Sequence, residues 1–231
     1  MKSTLLLWVV LASLSGGLNG CKKRYPNVVS MLFLAPVTIT PSARTMQLGD
    51  TLWLTASFSD SLLDYNSGNR YRVRPPDMTF VTGFAIKKLL GVGQLPAGIA
   101  STVNVVAKVG QMSVGGTTTG LFSLVYDGAR YRGRFGLIPT QRGITSVSLL
   151  LGPAGGAKAL RTYIPFIQLP PAADGTEQKA LLEDMYFVIN DGKATNYDLY
   201  SQHTKAYSLD PGIDPKSLIY EAQSTFTVEV Q

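Results

Sequence analysis

The side chains that enzymes most often use as bases and metal ligands are scarce in this chain of 231 residues, which has one histidine, His203, and one cysteine, Cys21. A serine nucleophile needs a basic partner, and the segment Gly110 to Gly115 has one residue too many before its serine for a nucleophile elbow. One histidine and one cysteine are also too few for a zinc site. We therefore predict no catalytic residues, no metal site and no cofactor.

Carboxylate and amide oxygens come closest to a ligand set in the segment that contains Asp60, Asp64, Asn66 and Asn69. Oxygen ligands of this kind suit calcium. The spacing lacks the regular alternation of ligands and the terminal glutamate of an EF-hand. A turn-rich polar loop is therefore the favoured interpretation of these residues, ahead of a cation site.

The surroundings of Cys21 predict a covalent modification. Lys2 is followed by an apolar run over residues 5–14, and Leu18-Asn19-Gly20 stands directly before the cysteine, which together are typical of a secretion signal. The arrangement resembles the lipobox of bacterial lipoproteins, in which the cysteine receives diacylglycerol and becomes the new N-terminus. Asn19 departs from that pattern, since a small or hydroxyl residue is usual there. The resemblance implies a signal peptide over residues 1–20 and lipidation of Cys21; the alternative is an ordinary thiol.

The residues after Cys21 bear on the location of the protein. The apolar run is about half the length that a spanning helix requires, so anchoring would depend on the acyl chains. Inner-membrane lipoproteins of enterobacteria carry an aspartate directly after the cysteine, whereas Lys22 stands here. Bacteroidetes lipoproteins exported to the cell surface tend to carry acidic residues there, and this chain has Lys22, Lys23 and Arg24. The resemblance therefore favours the outer membrane, with the periplasmic face ahead of the cell surface.

Most of the remaining chain shows the alternation of a β-protein. In the run Thr51 to Phe58, Leu52, Leu54, Ala56 and Phe58 fall on one face, and polar or aromatic residues fall on the other. Turn residues separate the runs, and Asp127-Gly128 is the clearest hairpin turn. Further strands are predicted at Thr79–Lys87, Ser101–Val109, Gly120–Tyr126, Tyr131–Leu137, Ser146–Leu151, Thr162–Leu169, Asp184–Ile189 and Ser224–Val230. This pattern predicts an all-β antiparallel sandwich.

Helix signals are confined to the C-terminal third of the chain. Thr176 to Leu182 and Asn196 to Tyr207 each begin with a residue type that favours helix N-termini, and both are short. We predict a lipidated cysteine and tether over residues 21–44, followed by one β-sandwich domain over residues 45–231. The segment after Pro170 is interpreted as part of that domain, because it has too few strands for a core of its own.

Three segments carry a family resemblance. Leu48 to Leu54, Ser57 to Asp60 and Leu63 to Gly68 look like a group of uncharacterised Bacteroidetes outer-membrane lipoproteins with an immunoglobulin-like β-sandwich domain. The resemblance implies that fold and a tether before a Gly-Asp-Thr strand. It implies no activity and no functional residues.

Two runs of alternating arginines stand out among the charged residues of this chain, whose net charge is +6. Strand geometry would place each run on one face of a sheet. Such a face can simply be solvated, with long side chains covering apolar surface and resisting aggregation at a sheet edge. The alternative is a site for anionic groups, such as lipopolysaccharide phosphates or an acidic polysaccharide, which guanidinium groups bind well. The candidate anion-binding residues are Arg130, Arg132, Arg134, Arg70, Arg72 and Arg74.

These observations predict a lipid-anchored, non-enzymatic binding or structural protein of the cell envelope. The alternative is a glycan-binding accessory lipoprotein of a polysaccharide uptake system, for which Trp53, Tyr65 and Tyr71 are the candidate stacking residues. The expected partners are a membrane, through the lipid anchor, and an anionic glycan or an envelope protein. Nucleic acid is not an expected partner, because the predicted location is outside the cytoplasm.

Overall fold

The computed structural model describes residues 27–73, 81–89, 102–115, 119–149, 162–203 and 222–231. Within these ranges the chain forms fifteen strands. They are β1 Asn27–Thr40, β2 Thr45–Met46, β3 Leu52–Ser59, β4 Ser61–Asp64, β5 Arg70–Arg72, β6 Val81–Leu89, β7 Val103–Val109, β8 Gln111–Gly115, β9 Thr119–Ser123, β10 Val125–Tyr126, β11 Arg130–Pro139, β12 Gly143–Leu149, β13 Thr162–Gln168, β14 Gln178–Ile189 and β15 Thr225–Val230. The helix α1 spans Tyr197–His203, and a 3₁₀ turn spans Asn190–Gly192.

The strands form two sheets. In the described part of the chain, the larger sheet has nine strands, with β10-β11-β3-β1-β14-β13 as its main order, β4 beside β1, β5 beside β4, and β7 beside β11. The smaller sheet has six strands in the order β2-β15-β12-β6-β9-β8. Neighbours are antiparallel except for β1 with β14 and β2 with β15. The predicted all-β fold, a mainly antiparallel sandwich of two sheets with a short helix in the C-terminal third, is confirmed.

The space between the sheets is filled by alternating side chains from both of them. Every second residue of β3 from Leu52 to Phe58 is buried, as the sequence pattern predicts. Phe122, from the smaller sheet, has its ring centroid 4.9 Å from that of Phe135 in the larger one. One core therefore joins the two sheets.

The first strand is the largest difference from the sequence prediction. Residues 27–40, assigned above to the tether, form β1, which pairs with β14 on one side and with β3 and β4 on the other. The residues from Met31 to Phe33 are all buried. This run does not alternate until its second half, and it contains Pro36, which argues against a strand when the sequence is considered alone. Residues 27–40 therefore belong to the sandwich rather than to a tether.

The two helix predictions have different outcomes. The helix predicted over Thr176–Leu182 is wrong, because this stretch enters β14, whose pairing with β1 and β13 outweighs a weak local propensity. The other prediction is confirmed by α1, and the predicted residues after 203 lie outside the described ranges. The Asn196 side chain donates hydrogen bonds to the carbonyls of Ala43 and Thr227, at 3.2 and 3.0 Å, so it fastens α1 to its neighbours. No helix among the described residues is long and apolar enough to cross a membrane.

Candidate functional site

A depression in the outer face of the larger sheet results from a mismatch in strand register. Val37 of β1 lies opposite Ala56 of β3, whereas Leu34 of β1 lies opposite Leu63 of β4. Two residues of β1 therefore face a stretch of six, residues 57–62, on the neighbouring strands. The longer stretch has to bend away from β1, and we call it the β3–β4 bow. Because the β3–β4 bow bends away, a gap opens in the hydrogen-bonded ladder beside β1.

Pro36 stands on β1 at this gap. The backbone N–H of Leu32 donates to Asp64 Oδ1 at 2.8 Å, so the N–H of Leu32 points toward β4. Since alternate residues of a strand present their N–H groups to the same edge, the nitrogen of Pro36 points toward the bow. A proline has no N–H to donate, so it fits a position where the ladder is interrupted.

The bow is held from its outer side by β11 and β5. Asp60 lies at its centre and is 4% exposed. One carboxylate oxygen, Oδ2, accepts hydrogen bonds from Arg72 Nε at 3.1 Å and from the Tyr126 hydroxyl at 2.9 Å. The backbone N–H of Asp60 donates to Ala129, and its carbonyl accepts from Val73. These contacts fix the bow to its neighbours and keep the gap open.

A groove of about 420 Å³ occupies the gap on the outer face of the sheet, and we call it the arginine groove. Arg70 of β5 and Arg130 of β11 line it from the two strands that hold the bow. Its apolar side is formed by residues of β1, β4 and β14, and its polar side by hydroxyl groups of the bow. The apolar residues there are Leu34, Pro36, Leu63 and Val188, and the hydroxyl residues are Ser57, Ser59 and Ser61. Phe58 and Leu62, which are buried, complete the lining.

The arginines predicted as anion-binding residues have different surroundings. Arg130, Arg132 and Arg134 are exposed on one face of β11, as the alternation predicts. The guanidinium of Arg134 lies 4.7 Å from the ring centroid of Trp53, which it covers. Arg72 pairs with the buried carboxylate of Asp60, and Arg74 lies outside the described residues.

Arg132 is compensated by Asp127, at the hairpin turn between β10 and β11. The backbone N–H groups of Arg130 and Ala129 donate to Asp127 Oδ1, at 2.8 and 3.1 Å. These hydrogen bonds, with the charges of Arg132 and Arg130, lower the pKa of the Asp127 carboxyl. The carboxylate stays ionised and lies 2.7 Å from Arg132 Nε. The predicted hairpin at Asp127-Gly128 is confirmed, with Gly128 at a φ of 98°.

Arg70, Arg130 and Arg134 are not paired with a carboxylate of any residue that the structure describes, and of these three Arg70 and Arg130 line the groove, whereas Arg134 covers Trp53. Arg130 Nη2 donates to the Ser57 carbonyl at 3.0 Å, and Arg70 Nη1 donates to the Ser61 carbonyl at 3.0 Å. Each guanidinium is thereby held against the bow through one terminal nitrogen. The groove therefore holds two of the described arginines, and neither forms an ion pair with a described carboxylate.

The predicted glycan-stacking residues do not form one platform. Tyr71 packs against the core, with its ring edge-on to Phe33 at 6.5 Å. Trp53 lies opposite Thr40 in the β1–β3 ladder, whereas Tyr65 follows the end of β4 and is 44% exposed. About eight strand residues, or roughly 26 Å, separate these two positions along β1. The three rings therefore do not form one continuous stacking surface.

The polar segment around Asp64 forms a turn, as the sequence interpretation favours. Asp64 is 1% exposed, and its carboxylate accepts hydrogen bonds from the backbone of Leu32 and from the backbone and hydroxyl of Ser67. Among the described residues, no group of three histidine, cysteine, aspartate or glutamate side chains could hold a metal ion. His203 Nδ1 lies 3.0 Å from the Leu199 carbonyl, within α1.

Replacing Asp60 with alanine should lower the free energy of unfolding by about 2 kcal/mol, because it removes a buried carboxylate that accepts two hydrogen bonds. The control is Asp198→Ala, which breaks the exposed pair with Arg44 and should have little effect. Urea denaturation of both variants measures the difference. Equal losses in the two variants would show that Asp60 does not hold the bow.

The comparisons with known proteins provide no information about the groove. A scan of protein-family models found no matching family, and a search of curated proteins found no matching protein. Among solved structures, the chain is similar to a non-cellulosomal cohesin from the hyperthermophilic archaeon Archaeoglobus fulgidus, at 8% sequence identity over 76% of this chain and 100% of that one. The TM-score is 0.23, so this likeness contributes no argument about the groove.

Proposed function

We propose that this protein is a lipid-anchored, non-enzymatic binding protein of the cell envelope, and that it binds its ligand on the outer face of the larger sheet. The observation that carries the proposal is the arginine groove. Two cations without a described carboxylate partner stand there beside apolar residues and serine hydroxyls. This combination of a concave apolar surface with a few polar groups suits a binding site.

The anchor in this proposal is Cys21, through the lipobox pattern at the end of the secretion signal. The first described strand starts at Asn27, six residues after Cys21. A chain of six residues spans at most about 20 Å, so a lipid on Cys21 would hold the sandwich close to the membrane surface. Lys22, Lys23 and Arg24 support placement in the outer membrane facing the periplasm, on the pattern of other lipoproteins.

The test of the anchor is metabolic labelling with a fatty-acid analogue in a bacterial host. The parent chain should incorporate label, and Cys21→Ala should incorporate none, because the thiol is the acylation site in this proposal. Asn19→Ala serves as the control, since it changes a neighbouring residue toward the usual lipobox and should keep the label. Equal labelling of the parent and the Cys21 variant would refute the anchor.

The glycan-binding alternative receives no support from the separated rings of Trp53, Tyr65 and Tyr71. An acidic glycan could still meet Arg70 and Arg130 through its carboxylates, and the titrations below include one for that reason.

A further inference from the structure

We infer that the arginine groove binds the phosphorylated head group of a lipid, with the phosphate at Arg70 and Arg130 and the adjoining carbons on the apolar residues. The inference rests on the proposed function, and it names the ligand class for that function. Three features of the groove lead to it: charge, hydroxyl donors and apolar surface.

The charge of the groove requires an anion. Arg130 lies opposite Ser59, and Arg70 lies opposite Leu63, four residues further along the bow and β4. A fully extended chain of four residues spans about 14 Å and the bow is bent, so these positions are closer than that, and two long side chains can close around one anionic group. Guanidinium groups bind phosphate through paired N–H donors, and each of these two is held through one terminal nitrogen.

The hydroxyl groups of the bow add donors of suitable geometry. The backbone N–H of Ser61 donates to Ser59 Oγ at 3.0 Å, so that this hydroxyl keeps its own proton for another acceptor. Ser57 Oγ, 3.5 Å from Arg130 Nη2, likewise accepts from the protein side. A phosphate has enough acceptor oxygens to engage both arginines and a serine hydroxyl at once.

The apolar part of the groove distinguishes a lipid from a free anion. Leu34 and Leu63 lie directly opposite each other, and Pro36 lies opposite Val188, so the four side chains form a continuous apolar area. They are half-buried or exposed although they stand in the middle of a sheet. Covering such an area is favourable by about 25 cal/mol per Å². The carbons next to a lipid phosphate would cover it, whereas inorganic phosphate would not.

An acidic saccharide fits these residues less well. Sugar rings bind on exposed aromatic faces, whereas Phe58, the aromatic residue of the lining, is 4% exposed and packs against Tyr131 in the core. A saccharide would also place hydroxyl groups against leucine and valine, where they find no hydrogen-bond partner. Phosphate joined to an apolar body is the chemistry that matches both sides of the groove.

The test uses the mature lipoprotein in neutral dodecyl maltoside micelles and follows titrations by calorimetry. The main probe is dihexanoyl phosphatidic acid. Dihexanoyl phosphatidylcholine has the same acyl chains with a zwitterionic head group and also corrects for partition into the micelle. Inorganic phosphate supplies the anion alone, and an oligogalacturonate supplies an acidic saccharide. We expect phosphatidic acid to bind at least tenfold more tightly than each of the other three.

The variants assign the binding to the groove. Arg70→Gln and Arg130→Gln should each weaken the binding of phosphatidic acid about tenfold. Arg132→Gln is the matched control, because it removes the same charge from a residue already paired with Asp127, and it should change the affinity less than twofold. Leu63→Gln should weaken binding of phosphatidic acid while leaving that of inorganic phosphate unchanged. Thermal unfolding of each variant shows that the fold is retained.

Each contrary result has a distinct meaning. No binding of phosphatidic acid, or equal binding by the parent and by Arg70→Gln and Arg130→Gln, would overturn the inference. Equal affinity for inorganic phosphate would show an anion site without a lipid preference. Tighter binding of the oligogalacturonate would show that the ligand is a saccharide rather than a lipid. Either of these last two results would also overturn the inference. The anchored binding function is tested separately by the labelling of Cys21, so its failure is distinguishable from all of these.

Discussion

Replacing Gly110 with alanine is expected to lower the free energy of unfolding by about 3 kcal/mol. Gly110 joins β7 of the larger sheet to β8 of the smaller one, and its φ is 86°. An alanine in this left-handed region is disfavoured by about 1–2 kcal/mol. Its Cβ would also overlap the backbone carbonyl oxygen of Ser123 and lie 3.0 Å from the Phe135 ring, so the strands themselves would have to shift.

The control for this variant is Gly128→Ala. Gly128 has a φ of 98°, and no atom lies within 4 Å of the position that a Cβ would take there. This substitution therefore places an alanine in the same left-handed backbone conformation, but its Cβ overlaps no other atom. We expect it to lower the free energy of unfolding by only about 1–2 kcal/mol. Urea denaturation measures both variants. If Gly110→Ala were no more harmful than Gly128→Ala, close packing at the crossing between the sheets would be disproved.

The Phe122→Ala variant is the second substitution for which we expect a large effect. The Phe122 ring is 3% exposed and lies between the sheets, with its centroid 6.1 Å from Phe84, 4.9 Å from Phe135 and 5.8 Å from Phe187. Phe84 comes from the smaller sheet, and the other two rings come from the larger one. Removing the ring leaves a cavity at the contact between the sheets, and we expect a loss of about 3–5 kcal/mol.

Phe122→Leu separates the effect of the cavity from the loss of aromatic contacts. Leucine keeps an apolar side chain of intermediate volume, so it should lower the free energy of unfolding much less than alanine does. The comparison is again a pair of denaturation curves, which should have the same slope with denaturant if both variants unfold from the same compact state. Similar losses for leucine and alanine would mean that the ring contacts, rather than the filled volume, stabilise this part of the core.

The stability of the sandwich and the shape of the groove are connected through Asp60. The carboxylate that stabilises the bow also compensates Arg72, leaving Arg70 as the described arginine of β5 that faces the groove without a carboxylate. An Asp60 substitution should therefore affect both stability and ligand affinity. Arg70→Gln and Arg130→Gln replace exposed side chains, so they should change the ligand affinity and leave the free energy of unfolding unchanged.

Local sequence patterns were sufficient for most of the strands. In β3 and β11, side chains alternate between core and solvent, and this period of two is a property of each strand by itself. The hairpin at Asp127-Gly128 depends on four or five neighbouring residues, so it too could be predicted. The common face of Arg130, Arg132 and Arg134 follows from the same alternation. Lipidation at Cys21 remains a prediction from the sequence.

The structural features that we did not predict from the sequence depend on pairing between strands that are distant along the chain. β1 contains a proline and a continuous apolar stretch, and it is a strand because β14 and β3 pair with it from both sides. Thr176 to Leu182 carries helix signals, but most of it pairs with β1. In each case the hydrogen bonds and burial supplied by another strand exceed a local preference of a few tenths of a kcal/mol per residue.

The arginine groove itself was decided by the tertiary structure. Its gap arises from the difference between two registers of β1, one with β3 and one with β4, and neither register is visible in a single segment. Alternation indicated which side of a strand each arginine occupies. Which arginines remain uncompensated depends on Asp60 and Asp127, which the fold places beside Arg72 and Arg132. Charge compensation acts over a few ångströms in space, so only the folded chain determines where a free cation meets an apolar surface.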